Sequence, residues 1–115
     1  MTADTTIKKV RSAHSPVGDM GQKYLVAGKR LSMRLWENVP KGEADLPHTR
    51  EYETVGYAIS GRARLELEGQ EIILEAGDCW LVPAEAEHRY HIEEKFTAIE
   101  ATAPPAEFHD DSDVR

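Results

Sequence analysis

The sequence predicts an all-β domain, a sandwich or barrel of short strands, and three observations lead there. Apolar and polar residues alternate over several segments, most clearly in "ARLELE" (63–68), the pattern of a strand with one wet face. Gly, Pro or short polar clusters interrupt these segments at short intervals, at "SGR", "EGQ", "EAGD" and "PAEAE". No segment carries a sustained apolar stripe at helical spacing. Evenly spaced short strands of this kind build sandwiches and barrels.

Taken in order, "YLVAG" and "KRLSMRLWENV" are the first strand candidates, followed by the turn-rich stretch "PKGEADLP". After it come "TVGYAIS", "ARLELE", "QEIILE", "CWLVP", "HRYHIE" and "FTAIEATA", each expected to be a separate strand. "RLELEGQEIIL" reads as a hairpin turning at Gly69-Gln70, where glycine can take the positive φ of a tight turn. The expected organisation is an N-terminal segment (1–22), a barrel domain (23–103) and an acidic C-terminal tail (104–115).

The chain has 115 residues, enough for one domain with its own core. Its single cysteine, Cys79, excludes an internal disulfide and is expected to be a buried structural thiol. A net charge of -7, from 21 acidic and 14 basic residues, argues against nucleic acid and anionic membrane as partners. No apolar run is long enough to span a membrane, and "MTADTTIKKV" lacks a signal-peptide core, so a cytoplasmic location is expected. Phosphate-binding glycine loops, a G-x-S-x-G elbow and a C-x-x-C pair are all missing from the sequence.

Two segments that begin on glycine carry the candidate chemistry. One runs from Gly42 to Gly61, "GEADLPHTREYETVGYAISG"; the other starts at Gly77, "GDCWLVPAEAEHRYHI". Together they resemble the two motifs of the cupin superfamily, G-x5-H-x-H-x3,4-E-x6-G and G-x5-P-x-G-x2-H-x3-N. The resemblance covers about residues 30 to 103. It implies a double-stranded β-helix, the cupin jelly-roll barrel, in a small single-domain form. It also implies a homodimer that pairs through edge strands and N-terminal segments, the N-terminal segment being the part expected to exchange between copies.

Mapped residue by residue, His48 falls on the first motif's first histidine, and Arg50 stands where the second is expected. Thr54 takes the place of the glutamate. In the second motif Gly77, Pro83 and His88 match, Glu85 replaces the glycine and Ile92 the asparagine. Two of the family's four usual metal ligands, His48 and His88, therefore remain.

Alternate residues of a strand share a face, so His48, Arg50, Tyr52 and Thr54 would point the same way on a regular strand. A guanidinium does not ligate metal. Completing a site around His48 and His88 would require a bulge to re-aim Glu51 or Glu53. Such a set would suit a divalent metal (Fe, Mn, Ni or Zn). The alternative is a metal-free pocket in which His48, Arg50, Thr54 and His88 hold a small organic anion between Tyr52 and Tyr90. Three functions stay open: a binding protein for a small organic anion, a divergent metal-dependent oxygenase or isomerase, and an interaction protein with an idle pocket. His91 has the parity of the outer face. Trp36, Trp80 and Met33 are expected in the core or at its rim, and Gly42, Gly61 and Gly77 at corners of the barrel.

Overall fold

A computed structural model describes residues 6–43 and 49–106. The strands are β1 (Lys23–Ala27), β2 (Ser32–Val39), β3 (Gly42–Glu43), β4 (Glu53–Leu67), β5 (Gln70–Glu75), β6 (Cys79–Val82) and β7 (His88–Ala103). The described residues contain one short 3-10 turn, Ser12–His14, and no α-helix. All strand pairings are antiparallel, in the order β1-β2-β7-β4-β5, with β3 also on β7 and β6 also on β4. The all-β barrel expected from the alternation is the fold observed.

Two long strands organise it. β4 pairs with β6 through Thr54–Tyr57 and with β5 through Arg62–Leu67, while it pairs with β7 along nearly its whole length. β7 likewise pairs with β2 through Phe96–Thr102 and with β3 at His91 and Ile92. The network therefore folds into two leaves. The first holds β1, β2, β6 and the facing halves of β4 and β7; the second holds β3, β5 and their other halves.

This corrects the expected strand count. "TVGYAIS" and "ARLELE" are one strand, as are "HRYHIE" and "FTAIEATA". The "SGR" interruption is a run of bulges, with register shifts between Ala58 and Ala63. Gly61 sits at the bend with φ +87°, and a Cβ there would lie 1.9 Å from the Lys95 carbonyl oxygen. A glycine signals a break in regular geometry, and a bulge satisfies that as well as a turn. The bulges also change parity: Thr54, Gly56 and Ala58 are buried before the bend, Ala63 and Leu65 after it.

The β4–β5 hairpin turns one residue earlier than expected. Leu67 pairs with Gln70, so the loop is Glu68-Gly69, with φ +47° and +80°. Two successive positive φ values match the twist of the flanking strands. The core lies between the leaves: Ala58, Trp80, Val82, Phe96 and Ala98 from the first meet Ala63, Leu65 and Leu74 from the second. Burying Leu65 and Leu74, each 1% exposed, contributes about 2 kcal/mol apiece.

Candidate functional site

At one end of this core the inner surface turns polar. Arg34 of β2 faces Glu100 of β7 in register, and Glu100 faces Gly56 of β4, which faces Trp80 of β6. Gly56 is where the Trp80 indole lies: a Cβ there would come within 2.3 Å of it. The missing side chain thus lets the ring lie against the strand.

Arg34 and Glu100, both nearly buried, form an ion pair with Nε donating to Oε1 at 2.9 Å. The indole N–H of Trp36 donates to the same Glu100 oxygen. Arg34 Nη1 donates to the Tyr52 hydroxyl at 3.1 Å. The guanidinium also packs against the Trp36 and Tyr52 rings, 5.5 and 5.3 Å from their centroids. Burial alone would lower the Arg34 pKa, but Glu100 and Tyr52 more than offset it and hold the group charged. A buried charge with its partners in place is tolerated; the same charge alone is not.

The second leaf supplies His88 and Tyr90. Tyr90 accepts a hydrogen bond from Trp80 Nε1 at 3.1 Å and packs edge-on to His88, with centroids 5.9 Å apart. Burial, then the negative charge of Glu100, pushes the Tyr90 hydroxyl far above its ordinary pKa, so it stays protonated. His88 Nδ1 lies 2.9 Å from the Ala86 carbonyl oxygen. A carbonyl only accepts, so Nδ1 carries the proton and Nε2 presents a lone pair. Burial lowers the His88 pKa, and the positive charges of Arg50 and Arg34 lower it further, beyond what Ala86 and Glu100 restore.

Among the residues chosen from the sequence, Arg50, Tyr52, His88 and Tyr90 belong to this neighbourhood. Arg50 is half-buried, acts electrostatically on His88, and donates from Nη1 to the Thr49 carbonyl at 2.9 Å. Its own carbonyl accepts from the Glu85 N–H at 2.7 Å, tying it to the loop before His88. Glu85 has φ +66°, the conformation that the glycine of the motif would supply. Thr54 is buried on the inward face of β4, beside Thr102 and Val82. His48 lies outside the described residues.

Three residues were not read from the sequence as site residues: Arg34, Glu100 and, beyond its place in the core, Trp36. The usable signal was the alternation Ser32-Met33-Arg34-Leu35, whose polar members face inward here. Cys79 is exposed rather than buried, because β6 alternates outward from it: Trp80 and Val82 point in, Cys79 and Leu81 out. His91 has the outer-face parity expected of it, yet is 7% exposed, with Nε2 bonded to Glu66 at 2.7 Å.

A divalent cation does not fit the described residues. No three His, Cys, Asp or Glu side chains converge among them. Glu51 and Glu53 are exposed, Thr54 offers only a neutral hydroxyl, and Glu100 Oε1 already accepts two hydrogen bonds. The Arg34 and Arg50 charges that act on His88 would also repel a cation.

Comparison with known proteins agrees with this architecture. Over 70 residues the chain is 34% identical to a quercetin 2,3-dioxygenase of Bacillus subtilis (strain 168). The aligned stretch is 60% of this chain but only 21% of that protein's length. KdgF from Halomonas sp. superposes with a TM-score of 0.75 at 21% identity, covering 89% of this chain and 97% of that one. Salicylate 1,2-dioxygenase from Pseudoaminobacter salicylatoxidans, in complex with gentisate, gives 0.67 at 18% identity, over 76% of this chain and 26% of that one. The two structural likenesses, both below 25% identity, speak to the fold alone. Residues 35–101 match the family model described as a cupin domain, more than half of the sequence. With the two-leaved barrel and both motifs in register, the chain belongs to the cupin family.

Proposed function

We propose that this cupin binds a small hydroxylated organic anion between its two leaves. The observation that carries the reading is the contrast between two arginines whose charges act on His88. Arg34 is neutralised by Glu100, whereas Arg50 has no ion pair among the described residues and stands near His88. A guanidinium with no ion-pair partner among the described residues suits a carboxylate, which it can bind in bidentate geometry. The Nε2 of His88, without a hydrogen bond among the described residues, accepts from a ligand hydroxyl, and Trp36, Tyr52 and Tyr90 offer aromatic wall. The Arg34–Glu100 pair contributes a fixed dipole rather than net charge.

The test is a calorimetric and thermal-shift screen of small carboxylates, with gentisate as one probe. Saturable binding is expected, weakened on the order of tenfold or more by Arg50→Gln. Binding of equal strength in that variant, or no carboxylate bound at all, would remove the basis of the reading.

A metal-dependent enzyme is the second reading, suggested by the Nε2 of His88, which has no hydrogen bond among the described residues, and by the dioxygenase relative. Metal analysis after refeeding with Fe, Mn, Ni or Zn decides between them. Near-stoichiometric metal, lost in His88→Ala, would replace the anion-binding reading, and trace metal would end the enzyme reading in its metal form.

A further inference from the structure

Beyond the barrel interior the protein holds a second cavity, a cleft of about 400 Å³ between the β1–β2 hairpin and the chain that follows β7. That volume lies in the range of small-molecule sites. Its origin is a bulge. Tyr24 pairs with Arg34 and Ala27 with Ser32, so Leu25 and Val26 of β1 stand opposite the single residue Met33 of β2. Such an insertion bends the strand and re-aims a side chain. Leu25 and Met33 line the cleft, and Ala27 and Pro105 complete an aliphatic surface. Arg34, Arg50, Tyr52, His88 and Tyr90 do not line it.

The walls are held in place. Ala106, the last described residue, donates its N–H to Ser32 Oγ at 3.0 Å and to Thr102 Oγ1 at 2.9 Å, which fixes the Pro105 side against β2. The Gly28 N–H donates to the Leu31 carbonyl at 2.8 Å and closes the hairpin turn. The Tyr24 hydroxyl accepts from Gln22 Nε2 at 3.2 Å, and Gln22 is itself buried. A cleft built this way needs little ordering when a ligand enters.

Charge decides what the cleft accepts. Lys29 of the hairpin turn lines it, is exposed, and has no ion pair among the described residues. Arg30, next in sequence, is exposed too. No Asp or Glu lines the cleft. In a chain with a net charge of -7, this is a local positive spot beside an aliphatic floor. We infer that the cleft is a second ligand site, which takes a small monocarboxylate with an aliphatic body. Its carboxylate meets Lys29, and its chain lies against Leu25, Met33 and Pro105. A lysine is a point charge on a flexible stem, suited to a single carboxylate at the edge of such a cleft. Met33 adapts to aliphatic chains of varied shape. The barrel site asks for a ligand with hydroxyls and the cleft for one without them, so the two sites select different molecules.

The test is a titration of the full chain with octanoate, followed by calorimetry and by the methyl resonances of Leu25 and Met33. Saturation is expected with a dissociation constant on the order of 1 mM. The Leu25 and Met33 methyls should shift with that same constant, while the His88 ring signals stay in place. Lys29→Glu changes an exposed turn position and should leave the fold intact. It should weaken octanoate on the order of fivefold or more and bring in octylammonium, which the wild type does not bind. Shifts at His88 in place of Leu25 and Met33 would assign octanoate to the barrel and overturn the proposal. Octanoate bound equally by wild type and Lys29→Glu overturns it too, as does a titration that fails to saturate.

Discussion

Outside the first leaf, Val55, Tyr57, Ile59 and Leu81 stand half-exposed without a charge among them. Outside the second, Arg62 holds Glu93 and Glu75, Arg64 reaches Glu71, and Glu66 joins Arg89 and His91. The inner faces differ in the opposite sense. Ala63, Leu65 and Leu74 fill the second leaf's interior, while the first leaf turns Arg34, Glu100, Ser32 and Thr102 inward. Ser32 and Thr102 bond each other at 2.9 Å, and both accept from the Ala106 N–H. One leaf is thus built as an ordinary sheet of a soluble barrel, while the other carries an apolar outside and, next to its share of the apolar core, a polar cluster inside. The same two strands, β4 and β7, carry both patterns, with the switch in β4 falling at the bulges near Gly61.

Removing that switch should have the largest effect. In Gly61→Ala the new Cβ meets backbone at 1.9 Å while φ is +87°, so relief requires β4 and β7 to move together. A loss of more than about 4 kcal/mol is expected, measured by urea denaturation. A loss below about 1 kcal/mol would mean that the bend does not depend on glycine.

Next comes the polar interior. Glu100→Ala strands Arg34 and the Trp36 N–H, and should cost about 3–5 kcal/mol. The double variant Arg34→Met, Glu100→Leu should recover most of this, because apolar side chains of similar volume leave no unpaired charge in the interior. No recovery would show that the pair is needed for more than mutual compensation.

A smaller change sharpens the loop that joins the leaves at the site. Glu85 has φ +66° where glycine would be unstrained, so Glu85→Gly should raise stability by about 1 kcal/mol.

The outer charged face gives the smallest effect. Arg62→Gln should leave the urea midpoint close to that of the wild type, since exposed ion pairs are worth little. Glu66 adds a pH signature. Hydrogen bonds from His91 and then Arg89 lower its pKa from 4.5 to about 2. A depressed carboxylate binds fewer protons folded than unfolded, so its contribution is present above pH 4.5 and is lost as pH falls towards 2. Acid titration of Glu66→Gln should show a shallower loss over that window. A slope equal to wild type would mean that the pair adds nothing.

Much of the barrel was legible because alternation and glycine placement report directly on strand faces and bends. What alternation leaves open is which face is inside. Arg34 and Glu100 sit among apolar neighbours, just as solvent-facing residues of a wet strand would, and only the pairing of β2 with β7 shows that they meet in the interior. His88 and Arg50 could be found because the motif spacing marks their positions, independent of the polarity around them. The bulges were invisible for another reason. A glycine with positive φ fits a hairpin and a bend alike, and the long-range partner decides between them.

The continuity of β4 and β7 through both leaves bears on how the molecule opens. Each leaf shares its central strands with the other, so neither can detach as an independent unit. Local opening is expected at β3, β5 and β6, which each pair along one side among the described residues, whereas exchange of the β4 and β7 amides is expected to require the whole domain to open. A ligand held among Arg50, His88 and Tyr90 would therefore slow amide exchange at Leu65, on the far side of the bend, as much as at Gly56 beside it.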